Sequence, residues 1–293
     1  MSLSSLFSQF MGGLTAAMFL FLIASGLSLI FGVLRVLNFA HGSFYMIGAY
    51  MAWQVVHWVT TTTGHFWLAA AGAVIGVAIL GGIIERLLFR YLYGREELYQ
   101  LLFTYALVLI LGDAAKFTWG TEQLSVSRPS ILDSSLVVFG TIVPEYNLFI
   151  IVIGPLIALG VWLMLTRTGL GRMVRAAALD REMLDALGAN VGWLYTGMFM
   201  LSAALAGLAG ALVTPIQSIV PGMDVEIIVQ AFIVVVIGGL GSFWGTFWGS
   251  MLYGQVLSFG ILIFPGFSLF SVFALMAVIL IVRPWGLFGR PIR

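Results

Sequence analysis

The stretch that decides the fold is residues 11–34, with the sequence MGGLTAAMFLFLIASGLSLIFGVL. It carries no charged side chain, and its apolar residues do not alternate strictly with polar ones. An α-helix needs about 20 apolar residues to cross the ~30 Å hydrocarbon core of a bilayer. Because lipid offers the backbone no hydrogen-bond partners, such a segment has to satisfy its amides within a helix. The stretch therefore predicts a membrane-spanning helix.

The composition of the whole chain agrees with a membrane location. Hydrophobic residues make up 61% of the 293 residues and charged residues only 9%, with a mean hydropathy of +1.09. Soluble domains carry roughly 25% charged residues. A net charge of +1 without a basic patch indicates no nucleic-acid partner. The absence of cysteine excludes disulfides and thiolate metal sites.

Eight further apolar segments follow the first. They lie near residues 39–58, 66–88, 98–119, 147–165, 191–213, 226–240, 243–262 and 266–282. The segment at 226–240 is short for a full crossing and could be re-entrant, which membranes tolerate where protein surrounds the backbone. We expect an all-α integral membrane protein, a polytopic bundle of eight to nine transmembrane or re-entrant helices. Residues 1–293 would form a single transmembrane domain.

The positions of the positive charges predict an orientation. Cytoplasmic loops of membrane proteins are enriched in Lys and Arg. One alternating topology places eleven arginines on the same side: Arg35, Arg86, Arg90, Arg95, Arg167, Arg172, Arg175, Arg181, Arg283, Arg290 and Arg293. The opposite loops at 120–146 and 214–225 hold only Arg128. This pattern favours nine crossings, with the N-terminus outside and the C-terminus in the cytoplasm.

The loop at 166–190 is the longest predicted cytoplasmic segment, and it contains a short amphipathic pattern. Leu179, Met183 and Leu187 recur every four residues, with Leu184 beside them. This spacing predicts a helix over residues 180–187. Gly188 stands where a helix C-cap is expected. The pattern alone leaves open whether this helix lies on the bilayer or contacts a partner.

Small residues recur at four-residue spacing in several of the apolar segments. The rows are Gly72 and Gly76; Ala203, Gly207 and Ala211; and Gly241, Gly245 and Gly249. Such rows allow helix backbones to approach closely in lipid, so they predict packing seams. The tripeptides Gly42-Ser43-Phe44 and Gly241-Ser242-Phe243 resemble each other, which is a hint of an internal repeat.

The sequence contains no motif that indicates an enzyme. Metalloprotease, serine-hydrolase and P-loop motifs are missing, and His41, His57 and His65 lack metal-ligand spacing. We therefore predict no catalytic residue and no metal site. Asp113 and Lys116 are three residues apart near a helix end, which predicts an ion pair rather than a catalytic aspartate.

The distribution of charge also indicates where the energy for transport comes from. Ion-coupled transporters place titratable groups inside the membrane. Almost every charge in this chain lies in a loop or within a helical turn of one. The energy for transport is therefore expected from a partner, for instance one that hydrolyses ATP, and an ion-coupled transporter acting alone is the alternative.

The densest polar cluster near the membrane comprises Asn38, His41, Gly42 and Ser43, between the first two apolar segments. Polar side chains at such a position cost free energy unless they pair or face water. The cluster could line or gate a substrate route. It could equally cap the backbone where one helix ends and the next begins.

Several motifs, in order along the chain, resemble one protein family. The run 26–33 (GLSLIFGV) is followed by 36–42 (VLNFAHG) and 48–50 (GAY). Further matches are the segments 175–191, 202–212 (SAALAGLAGAL), 238–242 (GGLGS) and 283–289 (RPWGLFG). Together they are similar to LivH-type permeases, the membrane subunits of ABC importers for branched-chain amino acids.

The resemblance implies a set of partners. A second, LivM-type permease would complete the pathway, and two cytoplasmic ATPase subunits would bind ATP and Mg, leaving no cofactor in this chain. A periplasmic substrate-binding protein would dock outside and contact Asp224 and Glu226. The chain would reside in the bacterial inner membrane and work by alternating access. The implied substrates are branched-chain or other hydrophobic amino acids, with urea or short amides as an alternative.

The resemblance also assigns roles within the chain. The loop 166–190 becomes a cytoplasmic coupling loop whose helix docks on an ATPase. That helix comprises Asp180, Arg181, Glu182, Met183, Leu184, Asp185, Ala186, Leu187 and Gly188. Substitution of Leu184 or Asp185 is then expected to uncouple transport from ATP hydrolysis. The resemblance also favours a role for Asn38 and His41 in the substrate pathway over a role as helix caps.

Overall fold

The computed structural model describes residues 3–58, 65–263 and 265–289, and this part of the chain forms eleven α-helices. Their bounds are α1 Leu3–Leu34, α2 His41–Trp58, α3 His65–Leu87, α4 Glu97–Trp119, α5 Glu145–Arg167, α6 Gly169–Leu179, α7 Arg181–Ala186, α8 Val191–Val213, α9 Met223–Gly238, α10 Phe243–Ile263 and α11 Ser268–Val282. A hairpin of strands β1 Ser135–Val138 and β2 Thr141–Pro144 precedes α5.

The predicted all-α membrane fold is confirmed. Each of the nine apolar segments corresponds to one helix, and the two remaining helices, α6 and α7, lie in the loop at 166–190. Within the described residues, seven helices are long and apolar enough to cross a bilayer. The other two are α2 with 18 residues and α9 with 16 residues.

Helix α1 forms the centre of the bundle. Apolar side chains lie on every face of it, and all residues from Ala17 to Ile30 are buried. Helices α8 and α10 cover most of its surface, and α5 and α9 contact the rest. A helix that is hydrophobic all round has to be enclosed by other helices or by lipid, and here protein encloses it.

The pattern of contacts reveals an internal repeat. The pair α1–α10 has a counterpart in α8–α3, and α2–α8 has a counterpart in α9–α1. The pairs α2–α3 and α2–α4 likewise match α9–α10 and α9–α11. Helices α1 to α4 therefore correspond to α8 to α11.

The two halves of this repeat are inverted. The start of α1 and the end of α8 lie at the same end of the bundle, since Thr141 donates to the Ser4 carbonyl and Tyr146 to the Leu212 carbonyl. Inverted halves are a common plan of transport proteins. The tripeptide similarity does not mark the repeat, because it pairs the start of α2 with the start of α10, whereas α2 corresponds to α9.

The predicted small-residue seams are close helix contacts. Gly207 of α8 lies against Gly48 of α2 on one side and against Val77 of α3 on the other. Gly245 and Gly249 of α10 lie against the backbone of α9. In lipid, such approaches gain dispersion energy that larger side chains would prevent.

The two ends of the bundle differ in charge. Arg86, Arg90 and Arg181 come from two separate predicted cytoplasmic loops, and they line one pocket at one end of the bundle. This agrees with their predicted placement on one side. Arg290 and Arg293 lie outside the described residues.

The hairpin β1–β2 lies at the opposite end, and the sequence interpretation did not anticipate it. Phe139 and Gly140 form its turn with φ values of 51° and 74°. Nearby, Leu124 and Ile219 exchange backbone hydrogen bonds, which joins the two loops of this end.

The packing of α8 against α2 yields a test of the fold. A β-carbon at Gly210 would collide with the carbonyl of Tyr45, whereas Gly197 on the same helix has open space around it. We expect Gly210→Ala to destabilise the protein by about 1–3 kcal/mol through overpacking. Gly197→Ala, the matched control, should be neutral or slightly stabilising because alanine favours helix. Thermal unfolding in detergent measures both, and equal melting temperatures would contradict the described crossing.

Candidate functional site

Helix α2 begins beside the middle of α1 and not beside its end. His41 Nε2 lies 3.0 Å from the carbonyl oxygen of Ile23. Along the axis of α1, Leu34 lies about 16 Å beyond Ile23 at 1.5 Å per residue. The chain reverses at Arg35, with φ of 53°, and residues 35–40 return alongside α1 into the bundle. The second apolar segment is therefore a re-entrant start followed by a helix.

Small and polar residues make this entry possible. Ser202 of α8 donates a hydrogen bond of 2.6 Å to the Gly26 carbonyl, which binds α1 to α8 at the depth where His41 lies. A β-carbon on Gly26 would come within 2.9 Å of the His41 ring. The glycine thus leaves room for the imidazole between α1 and α8.

The predicted pathway residues lie inside the chain itself. Asn38, His41 and Ser43 have no exposed surface, and Gly42 is buried. A residue that lines a route between two permeases should be open on the face of a single subunit. In the described conformation these four residues have no surface open to such a route, and their role in the substrate pathway stays a prediction.

The carboxylate of Asp224 faces the same polar cluster. Ser43 Oγ donates to Asp224 Oδ2 over 2.7 Å, and Asp224 is only 3% exposed. The start of α9 thereby meets the start of α2, and Gly42 lies directly against the Asp224 backbone. The side chain of Asp224 is enclosed, whereas that of Glu226 is exposed, and their predicted contact with a binding protein stays a prediction.

Part of this cluster has no hydrogen-bond partner among the described residues. Both polar atoms of the Asn38 amide, Nδ1 of His41 and the hydroxyl of Ser28 are buried and unpaired. An unpaired buried polar group costs about 1–3 kcal/mol. The cluster is thus a point where a change of conformation could gain hydrogen bonds.

The loop at 166–190 folds into two capped helices. Thr168 Oγ1 accepts from Gly171 N at the start of α6, and Asp180 Oδ1 accepts from Met183 N at the start of α7. Gly188 has φ of 84°, and Ala189 N donates to the Leu184 carbonyl, as in a Schellman turn. The predicted helix and its glycine cap are confirmed, with α7 one residue shorter at each end.

The side chains of α7 divide differently from the sequence interpretation. Leu184 is buried and packs with Val174, Leu194 and other residues of α6 and α8. The predicted stripe of Leu179, Met183 and Leu187 is instead 84%, 58% and 77% exposed. These three residues form an uncovered apolar surface at the arginine-rich end, which we name the α7 surface. Leu184 is the anchor that attaches α7 to the bundle and is not part of that surface.

A network that sequence reasoning missed connects α7 with α3 and α8. The guanidinium of Arg181 lies over the Tyr195 ring at 5.4 Å, and Tyr195 contacts Tyr93 edge to face. Tyr93 donates 2.8 Å to Glu85, and Thr196 donates 2.6 Å to the same carboxylate. Burial and the neighbouring carboxylate raise the pKa of the Tyr93 hydroxyl, so it remains a donor. Glu85 adjoins Arg86 in sequence, and this concealed its buried position.

The ion pair predicted between Asp113 and Lys116 is present, with 3.1 Å between Nζ and Oδ1. Both side chains are exposed, and such surface pairs contribute little to stability. This result agrees with a structural role for Asp113.

A bundle of inverted helical halves, with a polar centre and an exposed apolar surface at its arginine-rich end, defines a polytopic membrane permease. Residues 9–282 match the family model described as the permease component of the branched-chain amino acid transport system. The chain therefore belongs to this permease family.

Individual relatives agree with this membership. The high-affinity branched-chain amino acid transport permease BraD of Pseudomonas aeruginosa is 30% identical over 295 residues, covering 97% of this chain and 95% of the relative. LivH of Escherichia coli is 29% identical over 296 residues, with the same two coverages. A probable LivH of Methanocaldococcus jannaschii is 27% identical over 251 residues, covering 83% and 77%. No solved structure matches the chain.

The hydrogen bond between Ser43 and Asp224 yields a second test. Ser43→Ala leaves the enclosed carboxylate without this donor, and we expect a loss of about 1–3 kcal/mol in stability. Glu226→Gln, at an exposed carboxylate two residues away, is the control and should change stability little. Thermal unfolding of both variants in one detergent measures the difference, and an unchanged Ser43→Ala protein would refute the contact.

Proposed function

We propose that this chain is the membrane permease subunit of an ABC importer that moves branched-chain or other hydrophobic amino acids across the bacterial inner membrane. The observation that carries the proposal is the α7 surface on a chain of this permease family. Where a protein faces water, an exposed cluster of apolar side chains marks a surface that contacts a partner. ATP and Mg would be bound by the partner and not by this chain.

The proposed assembly contains four kinds of subunit. A second, LivM-type permease would complete the pathway, and two cytoplasmic ATPase subunits would each bind one permease. A periplasmic substrate-binding protein would deliver the solute. The orientation that supports this arrangement has the N-terminus in the periplasm and the arginine-rich end in the cytoplasm.

The coupling role of residues 166–190 rests on how α7 is attached. Leu184 fixes α7 against α6 and α8, while Leu179, Met183 and Leu187 remain free for a groove in the ATPase. Asp180, Arg181, Glu182 and Asp185 surround these residues with exposed charge. When the ATPases close on ATP, the displacement of α7 would pass to α8 through Leu184 and through Arg181 on Tyr195. It would pass to α3 through Glu85.

The buried polar cluster is proposed as the gate of the pathway and not as its wall. The starts of α2 and α9 meet at Ser43 and Asp224, where the two halves of the repeat adjoin. Alternating access commonly proceeds by movement of one half against the other. A shift between α2 and α9 would open this contact and give Asn38 and His41 new partners.

The opposite end of the bundle would receive the binding protein. Glu226 lies deeper in the bundle than this end, at the start of α9, where it is exposed and accepts a hydrogen bond from Gln230. The β1–β2 hairpin exposes Val137, Phe139 and Ile142 at the same end. A binding protein with an apolar face would complement the hairpin, and a basic group that reaches inward would complement Glu226.

The names of the similar proteins support branched-chain amino acids as the substrate, because they are described as branched-chain amino acid permeases. The apolar helices of the chain suit a hydrophobic side chain. Urea or a short amide is the second candidate substrate. An ion-coupled transporter acting alone is the alternative mechanism, and the buried carboxylates of Glu85 and Asp224 are the groups it would use.

The α7 surface can be tested by changing its exposed residues. We expect Leu187→Arg to abolish association with the ATPases without unfolding the chain, because Leu187 contacts water and not the core. Leu98→Arg, at an exposed leucine of α4, is the matched control and should retain association. Leu184→Arg should lower the melting temperature, since it places a charge in the core. Co-purification and thermal unfolding measure these effects, and normal ATPase binding by Leu187→Arg would contradict the docking role.

The proposed function can be tested by reconstitution. Proteoliposomes containing this chain, the second permease and the ATPases should take up radiolabelled leucine only with internal ATP and external binding protein. Uptake by this chain alone, driven by an ion gradient, would overturn the importer proposal. ATP-driven uptake of urea but not leucine would change the proposed substrate and leave the importer proposal intact.

A further inference from the structure

An open groove runs along the side of the bundle between α3 and α8. Its volume is about 470 Å³, and Ile79, Ile83, Trp193 and Met200 are among its lining residues. Ile79 and Ile83 are half exposed, so the groove opens laterally and does not enter the core. Gly82 lies against Met200, which forms the floor. The walls are almost wholly apolar, as an acyl chain requires.

Arginines stand at one end of this groove. Arg86 and Arg90 both line it, and the guanidinium of Arg86 lies 4.0 Å from the centre of the Trp193 ring. Among the described residues neither arginine forms an ion pair, since the one salt bridge there joins Asp113 and Lys116. The nearby Glu85 carboxylate is buried and occupied by Tyr93 and Thr196. The mouth of the groove is therefore positively charged.

A second, more polar pocket adjoins this mouth. It measures about 210 Å³, and Arg86, Arg90, Arg181 and Asn190 line it together with Glu85. Three arginines against one glutamate give this pocket an excess of positive charge. Guanidinium groups bind phosphate oxygens through paired hydrogen bonds. An anionic group is thus the ligand that the pocket fits.

We propose that the groove and its arginines bind an anionic phospholipid, with an acyl chain along Ile79 and Ile83 and the phosphate at Arg86 and Arg90. From Ile79 to Arg86 the helix rises about 10 Å, which matches a chain descending from its headgroup. Tryptophan is enriched at the depth of the headgroups, where Trp193 lies in this arrangement. Basic pockets between transmembrane helices on the cytoplasmic side bind anionic headgroups in other membrane proteins.

The proposed lipid site adjoins the network that connects α7 with α3 and α8. Arg86 adjoins Glu85 in sequence, and Arg181 at the start of α7 lines the same polar pocket. A bound phosphate would neutralise the arginines around α7. The affinity of the site for lipid does not depend on transport, so it is measurable separately from the proposed function.

Native mass spectrometry of the full chain, with any subunits it retains, measures the binding. Phosphatidylglycerol should bind more tightly than phosphatidylcholine with the same acyl chains. Replacing both arginines by glutamine should reduce this preference roughly 25-fold, since each arginine near an anionic lipid contributes about fivefold. Arg95→Gln, at an exposed arginine of the same end outside the groove, is the control and should retain the preference.

The acyl-chain part of the proposal has its own variants. Ile79→Trp should fill the groove and weaken both lipids, whereas Ile75→Trp, one turn away on the same exposed face, should not. Equal binding of the two lipids, or an unchanged preference in the double arginine variant, would overturn the proposal. Binding of inorganic phosphate with the same affinity as phosphatidylglycerol would show that the site recognises an anion and not a lipid, and would also overturn the proposal.

Photo-crosslinking locates the lipid in native membranes. A photoactivatable phosphatidylglycerol should label peptides that contain residues 79–87 of α3 or 193–200 of α8. Labelling confined to α4 or α11 would overturn the assignment. So would a second protein subunit that covers the groove and excludes the lipid.

Discussion

A chain that turns back inside a bilayer has to satisfy its backbone hydrogen bonds within the protein, and this constraint shapes the centre of the permease. Residues 35–40 re-enter the bundle beside α1, and α2 starts where His41 meets the Ile23 carbonyl. Protein has to enclose this irregular segment, and α1, α8 and α9 all contact the start of α2, where the segment ends. Glycine at positions 26, 42 and 48 allows the backbones to come close enough. The inverted repeat places the short helix α9 opposite α2, so that the two starts stabilise each other.

Polar contacts in this centre connect the halves of the molecule. Ser202 joins α8 to α1, and Ser43 joins α2 to α9. Each hydrogen bond in low dielectric is costly to break without a substitute. The same contacts therefore hold one conformation and, when exchanged for others, define a second. The unpaired Asn38 amide indicates where such an exchange would begin.

Much of the fold could be predicted from the sequence, because lipid imposes length and apolarity on each helix. The nine segments, the Gly188 cap and the ion pair of Asp113 with Lys116 follow from local spacing alone. The re-entrant start of α2 could not be read this way, since hydropathy does not report depth. The stripe at Leu179, Met183 and Leu187 was recognised, but periodicity does not say which face the bundle covers. The hairpin at residues 135–144, which turns at Phe139 and Gly140, was not predicted, because interpreting the sequence for apolar helices assigns this segment to a loop.

The central claim is that α7 carries the contact with an ATP-hydrolysing partner. Since the chain has no cysteine, a single Leu187→Cys substitution can be cross-linked specifically within the assembled transporter. Val137→Cys, exposed on the hairpin at the opposite end, is the matched control. The account predicts a cross-linked product of Leu187→Cys with an ATPase subunit and none for the control. No ATPase product from Leu187→Cys, or an equal product from both positions, would contradict it.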